Sequence, residues 1–217
     1  MNLVDKKIIR IGLYCGLVAS VLFPLWSSVK LPLTLNMLLH FAFGPLLVIA
    51  FLAISTWLRY YHDSVSNRVG AVFGAIAGVV FCCMTVVQFS NLHWIRKQIA
   101  DTTDQVIKEE LQRNLTSVFS VQLGLDIVWD IFITLATVLM GIAIFRLSKF
   151  CSVYGSLGIL VGGATLILNL YTFPVPPRDA SLIDLGPFVG AWFCGLTIYL
   201  IISTKKHNNL INEYPPN

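Results

Sequence analysis

Six long apolar runs, separated by shorter polar stretches, organise the chain. They fall at about residues 8–28, 34–58, 69–92, 121–147, 153–173 and 185–204. Each holds roughly 20 residues or more, enough for a helix to cross a hydrocarbon core about 30 Å thick. The runs are continuous and do not alternate, which excludes a β-barrel. In lipid each segment must then satisfy its backbone hydrogen bonds within itself, as a helix does. The pattern predicts an all-α, polytopic six-helix transmembrane bundle. It forms one domain over residues 1–217, arranged as three helical hairpins.

Composition agrees. The chain is 56% hydrophobic and 12% charged, against about 25% charged in a soluble domain. The net charge of +4 does not point to nucleic acid, because the bases form no single patch. They sit at the ends of apolar runs. One side collects Lys6, Lys7, Arg10, Arg59, Arg68, Arg146, Lys149, Lys205 and Lys206, while the short loops opposite hold Lys30 and Arg178. The positive-inside rule then predicts that both termini are cytoplasmic, with the lipid bilayer as the implied partner. No cleavable signal peptide is expected, since the first run continues to Phe23-Pro24 without a small-residue cleavage site. None of the five cysteines lies in a CxxC pair, and all are read as free thiols.

The polar stretch at 94–120 then faces outward. Ile99, Val106, Ile107, Leu111, Leu115 and Val118 recur at helical spacing, with charges between them. This predicts an amphipathic helix lying on the outer surface or capping the bundle. Gly70, Gly74 and Gly78, and again Gly158 and Gly162, repeat every four residues. Such spacing lets helix backbones approach closely, here within the chain. Gly44-Pro45 and Gly186-Pro187 sit in two similar stretches. These are either an internal duplication or shared punctuation at the outer interface.

The candidate chemistry centres on "LGLDIVWDIF" at 123–132. Gln122, Asp126, Asp130, Thr134, Thr137 and Gly141 lie three or four residues apart. On a helix they make one polar stripe, which must face the bundle interior. An Asp at the centre of a membrane helix costs roughly 3 kcal/mol, and less near the interface. Three things can neutralise the acids: a proton, pairing with Arg178 or His40, or a cationic ligand held also by the rings of Trp129 and Tyr171. The topology brings His40, Gln88, Asn91 and Asn169 to the same outer level. The predicted ligand-binding set is therefore Asp126, Asp130, Trp129, Gln122, His40, Gln88, Asn91, Asn169, Tyr171 and Arg178, around an outward-facing polar pocket. A structural reading ties Asp126 and Asp130 to Asn169 and Gln88 without any ligand. A metal site built from His40, His93, Asp126 and Asp130 is the weaker alternative, as no HxxxH or HExxH spacing supports it. No P-loop or GxSxG is present. In the stretch 173–187, Pro174, Pro176 and Pro177 end a helix, and Asp184 is read as an N-cap. The connection is rigid, or it is a lid bearing Arg178.

"QLGLDIVWDIF", "LNLYTFPVPP" and "DLGPFVGAW" together resemble a group of bacterial multi-span membrane proteins with no assigned chemistry. The likeness covers the last three spans. It implies a bacterial inner-membrane protein, and no activity or cofactor. The six-span plan is also similar to the substrate-capture subunits of vitamin transporters, although no residue carries over. The expected function is binding or transport of a small cationic or proton-coupled solute. The alternatives are a metal-dependent enzyme acting on a lipid or amphiphile, and an accessory or assembly protein without a ligand.

Overall fold

The structure is a computed structural model. It describes the backbone of residues 3–147 and 149–213, and the side chains of residues 6–25, 28–147 and 151–204. The side chains of Lys149, Lys205 and Lys206 therefore lie outside the described residues. Every regular element among the described residues is a helix: α1 Leu3–Ser28, α2 Leu33–Tyr61, α3 Val65–Val86, α4 His93–Asp101, α5 Gln105–Phe145, α6 Lys149–Thr172 and α7 Gly186–Glu213. Six helices, with α3 and α4 counted as one rod, are long and apolar enough to cross a membrane. The protein is an integral membrane protein with six spans, as its apolar runs predicted.

The spans form a ring. α1 packs on α2, α2 on α3, α3 on α5, α5 on α6, and α1 again on α7, while α7 meets α5 and α6 only sparsely. Glycines set the tight contacts. A Cβ on Gly78 would stand 2.7 Å from the Gly44 carbonyl, and one on Gly155 would stand 2.6 Å from the Gly141 carbonyl. Gly74 lies against the Phe51 ring, and Gly158 lies 2.6 Å, measured from its would-be Cβ, from the Trp192 ring. The four-residue glycine repeats thus serve packing within the chain. Two reciprocal bonds tie α6 to α7: Trp192 Nε1 donates to the Tyr154 carbonyl (3.0 Å), and the Tyr154 hydroxyl donates to the Trp192 carbonyl (2.7 Å).

The segment 94–120 differs from the one amphipathic helix expected on the surface or over the bundle. α3 runs through a π-helical turn, Val87–Leu92, directly into α4. The chain then breaks at Thr102 and restarts at Asp104, whose Oδ1 accepts the backbone N–H groups of Val106 (2.8 Å) and Ile107 (3.3 Å). An aspartate is among the best helix N-caps, so "DTTDQ" stops one helix and starts the next. α5 then continues unbroken for 41 residues, about 60 Å at 1.5 Å per residue. The result is a hairpin that prolongs two spans beyond the bundle. Ile95, Ile99, Leu111, Leu115 and Val118 are half-buried in it, while Val106 and Ile107 are 73% and 49% exposed and fall outside the packed stripe.

The two Gly-Pro stretches are not structural equivalents. Pro45 lies inside α2, whereas Gly186 opens α7. The Asp184 side chain accepts the Gly186 N–H (2.8 Å) from one position before the N-cap expected of it, since the first helical bonds run to the Leu185 carbonyl.

Candidate functional site

The stripe on α5 faces inward. Asp130, Thr134 and Thr137 border a cavity of about 400 Å³ set between α1, α2, α5, α6 and α7. It occupies the sparse seam left by α7. Phe23, Phe43, Trp129 and Phe193 supply aromatic walls, and Gly186, Gly190 and Cys194 supply the α7 side. These three small residues, four apart, leave the space unfilled: a Cβ on Gly190 would meet nothing within 4 Å. Trp129 is held in place by Phe23, stacked at 6.2 Å and 20°, and by Phe81, edge-on at 5.8 Å. Its Nε1 is buried without a hydrogen-bond partner among the described residues.

The cavity is mainly apolar, which corrects the expected polar pocket. Ser20, Thr134, Thr137 and Thr165 all line it, but each hydroxyl donates to a carbonyl of its own helix. The acceptors are Gly16 (2.9 Å), Asp130 (2.6 Å), Ile133 (2.8 Å) and Val161 (2.7 Å). What the hydroxyl side chains then present to the space is largely methyl and methylene. Among the described residues, the one charged group on the wall is the Asp130 carboxylate.

Asn169, fully buried on α6, faces Asp130. Its Nδ2 donates to the Thr165 carbonyl (3.0 Å), and its Oδ1 has no partner among the described residues. Asp126 lies one turn further out on α5, half-buried and off the cavity wall. The charged groups acting on this pair are carboxylates: Asp126 on Asp130, Asp184 on both, and Asp179 on Asp126. The surroundings therefore add negative charge rather than cancel it. Gln122 completes the outer end of the stripe, its Oε1 buried without a partner.

The remaining residues of the expected set do not converge. His40 is buried on α2, with Nδ1 2.9 Å from the Asn36 carbonyl, and its ring packs on Phe81 and Phe89 at 6.4 and 5.1 Å. It does not line the cavity. Gln88, Asn91 and His93 are exposed, in or just after the π-helical turn. That turn inserts one residue, which rotates the rest of the rod by about 100° relative to a regular helix. Tyr171 is 80% exposed on the last turn of α6. Arg178 is exposed and pairs with neither acid; the connection buries Pro176 and Pro177 instead and closes with a Leu182 N–H to Pro177 carbonyl bond (2.8 Å). The expected metal set of His40, His93, Asp126 and Asp130 is not assembled. Among the described residues no group of three His, Cys, Asp or Glu side chains is placed to hold an ion.

Sequence reasoning overlooked the α1 and α7 walls. The signal was present as "GPFVGAWFC", with Gly186, Gly190 and Cys194 on one helical face. No family model, no curated protein and no solved structure matches the chain.

Proposed function

We propose that this protein binds a small amphiphilic cation, with its ammonium group against Asp130 and its apolar part among Phe23, Phe43, Trp129 and Phe193. One observation carries the reading: a carboxylate borders an otherwise apolar cavity within the span, and its charged neighbours are all acids. A charge at that depth is unfavourable unless paired, and a cationic ligand supplies the missing partner. The aromatic faces add attraction for an ammonium group. A volume of about 400 Å³ lies at the small end of the range of roughly 300–1,000 Å³ usual for small-molecule sites. The distribution of Lys and Arg supports a mouth on the non-cytoplasmic side and cytoplasmic termini. The likeness to bacterial multi-span proteins supports an inner-membrane location. Towards the inner half, Phe51 closes on Phe193 at 5.1 Å and on Gly74, so the reading is of a binding site entered from one side.

The test compares octylamine with octanol, which share a chain and differ in charge. In thermal unfolding of the purified protein, octylamine is expected to raise Tm well above the effect of octanol. Asp130→Asn should abolish that difference, and Gly190→Leu, which fills the cavity, should remove both effects. Equal responses to the two probes in the unsubstituted protein, or an undiminished amine effect in Asp130→Asn, would overturn the reading.

A further inference from the structure

A second concavity, of about 500 Å³, runs along the bundle surface between α2 and α3, beside their connecting turn. Its floor is made of small residues, among them Ser55, Ala71 and Ala75, and Leu52, Val72 and Val79 form its banks. These three bank residues are 52–59% exposed, on a face that a bilayer would cover. One end of the trough carries two arginines, Arg59 and Arg68.

The two arginines are in different states. Asp63 grips Arg68 in a fork, with Nε donating to Oδ1 at 3.0 Å and Nη2 donating to Oδ2. This fixes the guanidinium and leaves Nη1 available. The same contact holds the Asp63 carboxyl below its ordinary range. Arg59 makes one long bond, Nη2 to the Thr56 hydroxyl at 3.5 Å, and forms no ion pair among the described residues. Two cations and one anion leave a net charge of +1 at the trough's end. An apolar channel lying along the span and ending in a positive fork at its rim matches a lipid with an anionic head.

We propose that this groove holds one anionic phospholipid, its phosphate between Arg59 and Arg68 and one acyl chain along the trough past Leu52 and Val79. Guanidinium groups bind phosphate oxygens through charge-assisted, planar hydrogen bonds. Basic pockets between spans on the cytoplasmic side are where such headgroups bind, and Arg59 and Arg68 belong to the basic end of this chain. A zwitterionic headgroup carries its own cation, which offsets the attraction of the fork. The Asp130 cavity plays no part in this site, so either proposal can fail without the other.

The test uses native mass spectrometry of the full chain with added phosphatidylglycerol or phosphatidylcholine. One phosphatidylglycerol should be retained, with phosphatidylcholine about fivefold weaker, the effect of about one surface arginine. Arg59→Gln should cost about fivefold in phosphatidylglycerol affinity, and the Arg59→Gln/Arg68→Gln double variant should abolish the preference. Asp63→Asn frees Arg68 and should preserve or strengthen retention. Ala75→Leu, which fills the floor with both arginines intact, should weaken it. Glycerol phosphate alone should not displace the lipid. Equal retention of the two lipids, loss in Asp63→Asn as large as in the double variant, or displacement by glycerol phosphate would overturn the proposal.

Discussion

The two ends of the polar stripe on α5 solve the same problem in opposite ways. At the inner end, Thr134 and Thr137 are fully buried, and each hydroxyl donates to a carbonyl of its own helix. Gly141 completes that end by meeting the α6 backbone, where a Cβ would stand 2.8 Å from the Gly155 carbonyl. At the outer end, Asp126 and Asp130 have no such local remedy. A hydroxyl can donate backwards along a helix, but a carboxylate only accepts, and a helix interior has no spare N–H to give. The acids must therefore be satisfied from outside their own helix. Asn169 meets part of that need at Asp130, while its own Oδ1 stays unpaired.

Three substitutions break or sharpen this contrast. The largest effect is expected from Gly141→Leu, which forces α5 away from α6. Overpacking of this kind costs about 3 kcal/mol, or roughly 6–12 °C in Tm for a chain of this length. Little change in thermal unfolding would mean that the inner end is not sealed by backbone contact. Next comes Asp130→Leu, which removes an acid with no cationic partner among the described residues. It should leave the empty protein unchanged or raise its stability by up to about 3 kcal/mol, the cost of an acid within a membrane span, while ending any preference for octylamine. A fall in stability would instead favour a structural tie between Asp130 and Asn169. The smallest effect is expected from Thr134→Val, an exchange of similar shape at a hydroxyl bonded only within its helix. A change below about 1 kcal/mol is expected in the same melting experiment. A larger loss would show that this hydroxyl serves the cavity as well.

Much of the bundle is legible without coordinates. The six apolar runs match the six spans, because hydrogen-bond closure in lipid allows little else. The Asp184 bond to the start of α7 and the inward face of Asp130 come from local rules of the same kind. The polar pocket does not. The topology assigns Gln88, Asn91, Tyr171 and Arg178 to the same level as Asp130, yet they are exposed. Level depends on distance along a helix, whereas facing depends on rotation, and a π-helical turn resets rotation without leaving a mark in hydropathy. The hairpin at 93–118 escapes the apolar pattern for a related reason. Periodicity shows an apolar face, while the cap at Asp104 decides where that face is cut.

The sequence by itself determined the class of the protein, the number of its spans, and the placement of two acids on one face of a membrane-spanning helix. These depend on the chain's relation to lipid, which acts on each segment separately. Only the tertiary structure decided that the space before Asp130 is apolar, that α7 borders it with Gly186, Gly190 and Cys194, and that Arg178 stays away. Those features depend on how neighbouring helices rotate and how far apart they stand. Both are set by contacts between residues distant in the chain, such as Gly44 with Gly78, Gly141 with Gly155, and Tyr154 with Trp192.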